Sequence, residues 1–278
     1  MNNIKLKDKL RNISKEKNVD FNTLLRLYMY DRFIERLSIS KYKYNFILKG
    51  GFYLSTLYGV ENRTTMDIDT AFRNANFNEE MIVKMIKEIL SIRIDDNAKL
   101  SYLGIQQIRN EDKYGGFRID IEVRLENIKE KFHIDIATGD PITPKPILYK
   151  YIPLLKDNCI NLLAYNIETV LAEKLETIFS RLELNGRMRD FYDIYLVYSQ
   201  NSNSINKEYL KQAFYRTLKK RNFNGDINKS VGILKNSDIL KQRWDIYSKK
   251  NKYAKEIKYE EIIFLVEKLI KIIELVNI

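Results

Sequence analysis

Lys49-Gly50-Gly51, followed at a short distance by Arg63-Thr64-Thr65-Met66-Asp67-Ile68-Asp69, is the stretch on which the fold turns. Phe46-Ile47-Leu48 runs extended into the glycines, and Phe52 to Tyr58 reads as a short helix ending at Gly59. A glycine pair between a strand and a helix lets backbone N–H groups approach a phosphate without Cβ obstruction, and the helix N-terminus adds positive potential. Thr65 to Phe72 then alternates as a strand, with Met66, Ile68 and Thr70 on one face and Asp67 and Asp69 on the other. Two carboxylates on one strand face can share divalent cations. Mg²⁺ takes hard oxygen ligands, often one or two carboxylates together with substrate phosphates. A pair of such ions activates an attacking hydroxyl and stabilises departing pyrophosphate. In this order, the two pieces point to nucleotidyl transfer.

A third carboxylate is expected from a nearby strand. Phe132-His133-Ile134-Asp135-Ile136-Ala137 alternates, with Asp135 between two isoleucines and few other charges close by. A lone carboxylate on such a strand needs a reason, and a metal supplies one. Arg118-Ile119-Asp120-Ile121-Glu122-Val123-Arg124 also alternates, but its polar face carries both signs, as a solvent-facing sheet surface does. Asp135 is favoured, with Asp120 and Glu122 as alternatives. His133 lies on the same alternating face as Asp135; substrate contact is open to it, but a partly exposed strand histidine is the commoner reading.

Around this centre, residues 4 to 39 read as two helices, with Leu24, Leu25, Leu27, Tyr28, Phe33, Ile34 and Leu37 near a 3.6-residue period and Asp20 as an N-cap. Glu79 to Leu90 is an amphipathic helix, and Ser101 to Arg109, Phe117 to Arg124 and Lys131 to Ala137 read as strands. All four prolines, Pro141, Pro144, Pro146 and Pro153, fall in one short interval, which places the domain boundary there. Beyond it the pattern is helical over 167–184, 188–199, 207–221, 238–249 and 259–275. The expected division is therefore 1–150 as an α/β core with N-terminal helices and 151–278 as a helical domain.

Composition narrows the chemistry. With one cysteine, Cys159, and one histidine, His133, no intrachain disulfide and no Cys- or His-rich zinc cluster can form. The most apolar segment, Ile262 to Ile278, is interrupted by Glu267, Lys268, Lys271 and Glu274, so no membrane span is expected. The opening lysines are not followed by an apolar run of the kind a signal peptide has. A cytoplasmic enzyme working through carboxylates remains. The net charge is +11, and Lys207 to Lys258 holds fifteen Lys/Arg against five Asp/Glu, which is +10 of it. That segment suits a polyanion such as RNA. Within it, Trp244, Tyr247 and Tyr253, interleaved with Lys249, Lys250 and Lys252, suit either base stacking or helix packing.

The helical half contributes Glu173-Lys174-Leu175, Arg181 and Arg189-Asp190-Phe191-Tyr192-Asp193. Lys174 and Arg181, seven apart, share a helix face. Asp190 and Asp193 share the next helix's face, opposite Phe191, Ile194 and Tyr195. Lys174 could bind a triphosphate, Arg189 neutralise it, and Asp190 or Asp193 orient either one. Interhelical ion pairs would use the same residues in the same pattern.

Taken in order, Lys49-Gly50-Gly51, Asp67-Ile68-Asp69, Asp135-Ile136-Ala137-Thr138-Gly139-Asp140-Pro141, Glu173-Lys174-Leu175, Arg181 and Arg189-Asp190-Phe191-Tyr192-Asp193-Ile194 resemble the AbiEii/AbiGii nucleotidyltransferase toxins. Asp31-Arg32-Phe33-Ile34-Glu35-Arg36-Leu37 resembles that family's leading helix. The resemblance implies an α+β fold: a DNA polymerase β-like core, a mixed sheet with flanking helices, followed by an all-α domain. It implies a toxin of a toxin–antitoxin, abortive-infection (phage-defence) pair, with its antitoxin encoded nearby, adding NMP from NTP to the 3′ end of tRNA. Under it, Asp67, Asp69 and Asp135 hold two Mg²⁺ ions. Lys49, Gly50, Gly51, Thr65, Lys174, Arg181, Arg189 and Asp193 serve the nucleotide, and Lys174 and Asp190 join the catalytic set. Gly50-Gly51 stands where many polymerase β-like enzymes have Gly-Ser, and Ala137-Thr138 interrupts the family's usual strand, leaving the role of Asp140 open. The competing readings are transfer to a protein side chain, or a nucleotide- or RNA-binding module without turnover.

Overall fold

The computed structural model describes residues 3–73, 77–108 and 115–275. The last residue of the strand expected to end at Arg109, and the final three of Ile262 to Ile278, lie outside them. The chain divides into two compact units, residues 1–139 with 147–164, and residues 140–146 with 165–278.

The first unit is built on a mixed seven-stranded sheet. Its strands are β1 (Phe46–Lys49), β2 (Asp67–Phe72), β3 (Ala98–Ile108), β4 (Gly116–Leu125), β5 (Ile128–Ala137), β6 (Ile147–Tyr151) and β7 (Ile160–Ala164). Their order across the sheet is β3-β4-β5-β2-β1-β7-β6. β2 pairs parallel with β5 and β1 parallel with β7, and the other pairings are antiparallel. The helices of this unit are α1 (Asn3–Lys17), α2 (Phe21–Ile39), α3 (Gly50–Tyr58) and α4 (Glu79–Ser91). Asp20 caps α2 by accepting from Thr23 N–H, and Asn78 caps α4 through Met81 N–H. Alternation sorts the strand residues: Ile68, Ile119, Ile121, Phe132, Ile134 and Ile136 are buried, with Leu24, Phe33 and Ile86 of the helices in the same unit's core.

α2 departs from simple amphipathicity, because Asp31, Arg32, Glu35 and Arg36 are all buried. Arg36 binds Asp96 through two bonds of 2.7 and 3.0 Å. Asp31 accepts from the Tyr151 hydroxyl and, at 2.9 Å, from Leu154 N–H. Lys156 meets Glu35 at 2.5 Å. The leading helix thus anchors β6 and the segment after it.

β6 and β7 are strands where a domain boundary was expected. Pro146 and Pro153 lie just outside β6, so neither occupies a ladder position. A break between 150 and 151 would fall inside β6. Instead residues 140–146 belong to the helical unit and 147–164 return to the sheet.

The second unit is helical: α5 (Ile167–Arg181), α6 (Met188–Asn201), α7 (Lys207–Lys220), α8 (Ile227–Asn236), α9 (Asp238–Lys250) and α10 (Tyr259–Leu275). Leu171, Leu175, Phe179, Phe191, Phe214, Ile262 and Val266 are among its buried residues. Four of the expected helices end within a few residues of the observed ones, and α10 matches at both ends. α8, unexpected, is short and carries Gly232 in its interior. Among the described residues no helix is long and apolar enough to cross a membrane.

Candidate active site

Strand register assembles the centre. Asp69 of β2 faces Asp135 of β5 directly, and Asp67 faces His133. Residues at facing positions project to the same side of a sheet, and adjacent strands lie about 4.8 Å apart. Carboxylate oxygens of Asp67, Asp69 and Asp135 therefore converge to within 4.8 Å of one another, each side chain half-buried. Three hard-oxygen donors at that spacing fit a divalent cation. Among the described residues the alternatives do not join this group. Asp120, on β4, contacts His133 Nδ1, and Glu122 pairs with Arg124 and, at 2.8 Å, with Lys129.

Each member of the trio is held by a different kind of donor. The Thr65 hydroxyl lies 3.1 Å from both the carbonyl and Oδ1 of Asp67. Gly51 N–H donates to Asp69 Oδ2 at 3.3 Å. Arg118, from β4, binds Asp135 in a fork, Nε to Oδ1 and Nη2 to Oδ2, both 2.8 Å. The Asp135 carboxylate raises the Arg118 pKa further, so this cation stays charged. Arg118 escaped the sequence reading because its contact depends on the β4–β5 register, in which it faces Asp135.

The glycine loop is packed against the same carboxylates. Gly50 has φ +63°, a left-handed conformation open to glycine, and a Cβ there would come within 2.1 Å of Asp69 Oδ2. A Cβ on Gly51 would stand 2.9 Å from Thr65 Oγ1 and 3.1 Å from Arg63 Nη2. Lys49, buried at the end of β1, faces Asp69 in register. Arg118 binds the trio directly, Lys49 faces it in register, and Arg63 stands beside the Gly51 turn. Arg63 is almost fully buried, and its guanidinium donates to the Thr64 carbonyl. No local spacing marks Arg63 for this position.

In the second unit, Lys174 of α5 lies between Asp190 and Asp193 of α6, at 2.6 and 2.7 Å. Burial alone would lower the ammonium's pKa, but the two carboxylates outweigh it and the net direction is upward. Asp190 and Asp193 are completely enclosed, as are Phe191 and Ile194, so this helix has no polar outer face at the aspartates. Arg181 and Arg189 are exposed. Asp140 joins a separate cluster of this unit, with Arg221 approached by Asp140 at 3.6 Å, Glu173 at 3.5 Å and Glu176 at 2.6 Å. Trp244 is buried and donates to the Ile257 carbonyl, while the Tyr192 and Tyr253 rings lie 4.7 Å apart. These aromatics pack helices, so base stacking by Trp244 and Tyr253 is not supported. An apolar hollow of about 400 Å³ bordered by Tyr195, Ser199, Phe264 and Leu265 contains none of the trio.

Comparison with known proteins agrees with this geometry. The family described as nucleotidyl transferase AbiEii toxin, type IV TA system, matches residues 32–263. No curated protein sequence matches the chain. Among solved structures, JHP933 from Helicobacter pylori is 15% identical over 91% of each chain, with a TM-score of 0.49. An antigenic nucleotidyltransferase-like protein from Paracoccidioides brasiliensis is 13% identical, over 73% of this chain and 91% of its own, with a TM-score of 0.42. The family match, not these distant likenesses, carries the assignment.

Proposed function

Because the chain belongs to the AbiEii family of nucleotidyltransferase toxins of type IV toxin–antitoxin systems, we propose that it transfers an NMP from an NTP to the 3′-hydroxyl of tRNA, with Mg²⁺ held by Asp67, Asp69 and Asp135. The convergence of those three carboxylates beside the Gly50-Gly51 loop is the observation that carries the reading. When bound, Mg²⁺ would neutralise phosphate charge and polarise the attacking oxygen.

The chain's own groups position the reactants. Lys49 and the N–H groups opening α3 receive the triphosphate, with Gly50 and Gly51 allowing close approach. Thr65 acts through Asp67, whose carboxylate its hydroxyl steadies, rather than as a direct phosphate ligand. The 3′-oxygen attacks the α-phosphorus, the bond to the β-phosphate oxygen breaks, and pyrophosphate leaves. The hydroxyl proton passes to a carboxylate of the trio. Catalysis is positioning and charge neutralisation, without a protein nucleophile.

In the second unit, Arg181 and Arg189 are exposed cations, open to an anion from solvent. Lys174, Asp190 and Asp193 form the buried ionic centre that fixes α5 against α6, and α6 in turn carries Arg189. The basic segment 207–258 takes the RNA backbone. Its setting is the cytoplasm, where tRNA is found, and its protein partner is the antitoxin of the pair.

The test is incubation with total bacterial RNA, Mg²⁺ and each α-labelled NTP in turn. A labelled band of tRNA size, absent with Asp69→Ala, is the expected result. Label in protein would replace the RNA acceptor by a side chain, and no label in any fraction would overturn the transfer reading.

A further inference from the structure

Register lays one row of charge across four adjacent strands: Arg118 of β4 faces Asp135 of β5, Asp135 faces Asp69 of β2, and Asp69 faces Lys49 of β1. Asp120, His133 and Asp67 form the row beside it. The acidic centre thus has basic residues built into its own sheet face, one at each end of the row. Arg118 is the one fixed by two bonds, Nε to Oδ1 and Nη2 to Oδ2 of Asp135, both at 2.8 Å. Such a fork is stronger and more directional than a single ion contact. The Asp135 side chain is 17% exposed and that of Arg118 36%, so water screens the pair only in part.

Asp67, Asp69 and Asp135 bring oxygens within 4.8 Å of one another. Carboxylates that close repel, and each disfavours the charged form of the others unless a cation intervenes. Arg118 is such a cation, and it belongs to the chain. Its hydrogen bonds to Asp135, and then the charges of Asp135, Asp67 and Asp120, outweigh partial burial and keep the guanidinium charged.

Each carboxylate oxygen has two acceptor sites, and the fork takes one on each oxygen of Asp135. A divalent ion is therefore not shut out, but it shares Asp135 with a fixed positive charge. The ion and the guanidinium repel each other while drawing on the same carboxylate. We propose that Arg118 is the resident counter-cation of the acidic centre, stabilising the carboxylates when no metal is bound and weakening their hold on free Mg²⁺. The inference rests on the metal reading of the trio above. Arg118 acts through Asp135 as a positioning residue, and the trio folds with its charges balanced before a metal arrives.

Thermal melts across a Mg²⁺ titration, without nucleotide or RNA, give the apparent Kd for the ion alone. Arg118→Met should tighten Mg²⁺ binding by about tenfold, as removal of one partly screened charge beside a dication would. Arg118→Lys keeps the charge and loses the fork, and should stay within about threefold of the wild type. Arg124→Met, an equal charge removed further along β4, should leave the Kd unchanged. In EDTA the Tm of Arg118→Met should fall below that of the wild type, and saturating Mg²⁺ should recover part of the loss, because the two effects are linked. A merely structural role would lower Tm equally with and without Mg²⁺. An equal or weaker Kd in Arg118→Met overturns the inference and leaves the metal reading standing. So does tightening in Arg118→Lys or Arg124→Met as large as in Arg118→Met. No Mg²⁺-dependent shift in the wild type or any variant overturns both. Should Arg118→Met not fold, Arg118→Gln carries the same comparison.

Discussion

Gly50 and Asp69 occupy one site between them: the Asp69 carboxylate fills the space where any Cβ on residue 50 would stand, 2.1 Å from Oδ2. The glycine loop and the acidic strand therefore cannot vary independently. Gly50→Ala should displace Asp69, cost about 1–2 kcal/mol through its left-handed backbone, and lower transfer by about a hundredfold. Gly51→Ala meets only the Thr65 hydroxyl and the Arg63 guanidinium, both ends of side chains, and should lose less. Equal effects of the two substitutions in a transfer assay and a thermal melt would refute this account of the loop.

The acidic trio gives an outcome that needs no substrate. Binding of a divalent cation to the folded chain alone raises its stability in proportion to the logarithm of cation concentration once binding saturates. The wild-type Tm should rise as Mg²⁺ is added, and the rise should vanish in Asp67→Asn, Asp69→Asn and Asp135→Asn. Each variant should also lose transfer by at least about a hundredfold while keeping its far-ultraviolet circular dichroism. A full Mg²⁺-dependent shift in any of them would remove that residue from the site.

Lys174 holds together two enclosed carboxylates. Taking it away leaves like charges facing each other out of water, so Lys174→Met should destabilise the helical unit by about 3–5 kcal/mol. Asp190→Asn removes one negative charge and leaves the pair Lys174–Asp193, so its cost should be smaller. Urea unfolding of both variants tests this order, and a milder loss in Lys174→Met would contradict it.

Asp31 supplies the pH dependence. Burial pushes its pKa up to about 7, although the Tyr151 hydroxyl, Arg32 and the Leu154 N–H pull in the other direction. Between roughly pH 4 and 7 the folded chain thus keeps a proton that the unfolded chain has released, and stability falls as pH rises through that window. The total is on the order of 4 kcal/mol at about 1.4 kcal/mol per pH unit. Asp31→Asn cannot ionise, so its stability should decline less over the same interval. Parallel wild-type and variant curves of Tm against pH would show that Asp31 does not titrate there.

Much of the centre was legible because strand alternation is a local signal. It placed Asp67 with Asp69 on one face, and it favoured Asp135 over Asp120 and Glu122, the residues that pair elsewhere. Pairing between distant strands is not local. The Arg118 fork on Asp135 and the row from Asp120 to Asp67 follow from the order β4-β5-β2, which no spacing in the chain encodes. β6 and β7 were hidden for a related reason: five residues each, with prolines near both ends of β6, they become strands through pairing with β1 and with each other. No local signal marked the charges of α2 as buried. They are interior because Asp96, Tyr151, Leu154 and Lys156, remote in sequence, supply partners.

The return of residues 147–164 to the sheet has a consequence for synthesis. A nascent chain that has emerged as far as residue 139 already contains the glycine loop and all three carboxylates, yet β1 still lacks β7 on one side. Its residues Phe46, Ile47 and Leu48 then form an open, apolar strand edge, the kind that recruits other chains. The ribosome must make a piece of the helical unit, residues 140–146, before it makes the strands that cover this edge. Premature termination anywhere before residue 160 thus yields a sticky fragment rather than a small active toxin, and a single proteolytic cut after residue 164 frees the sheet only with residues 140–146 attached.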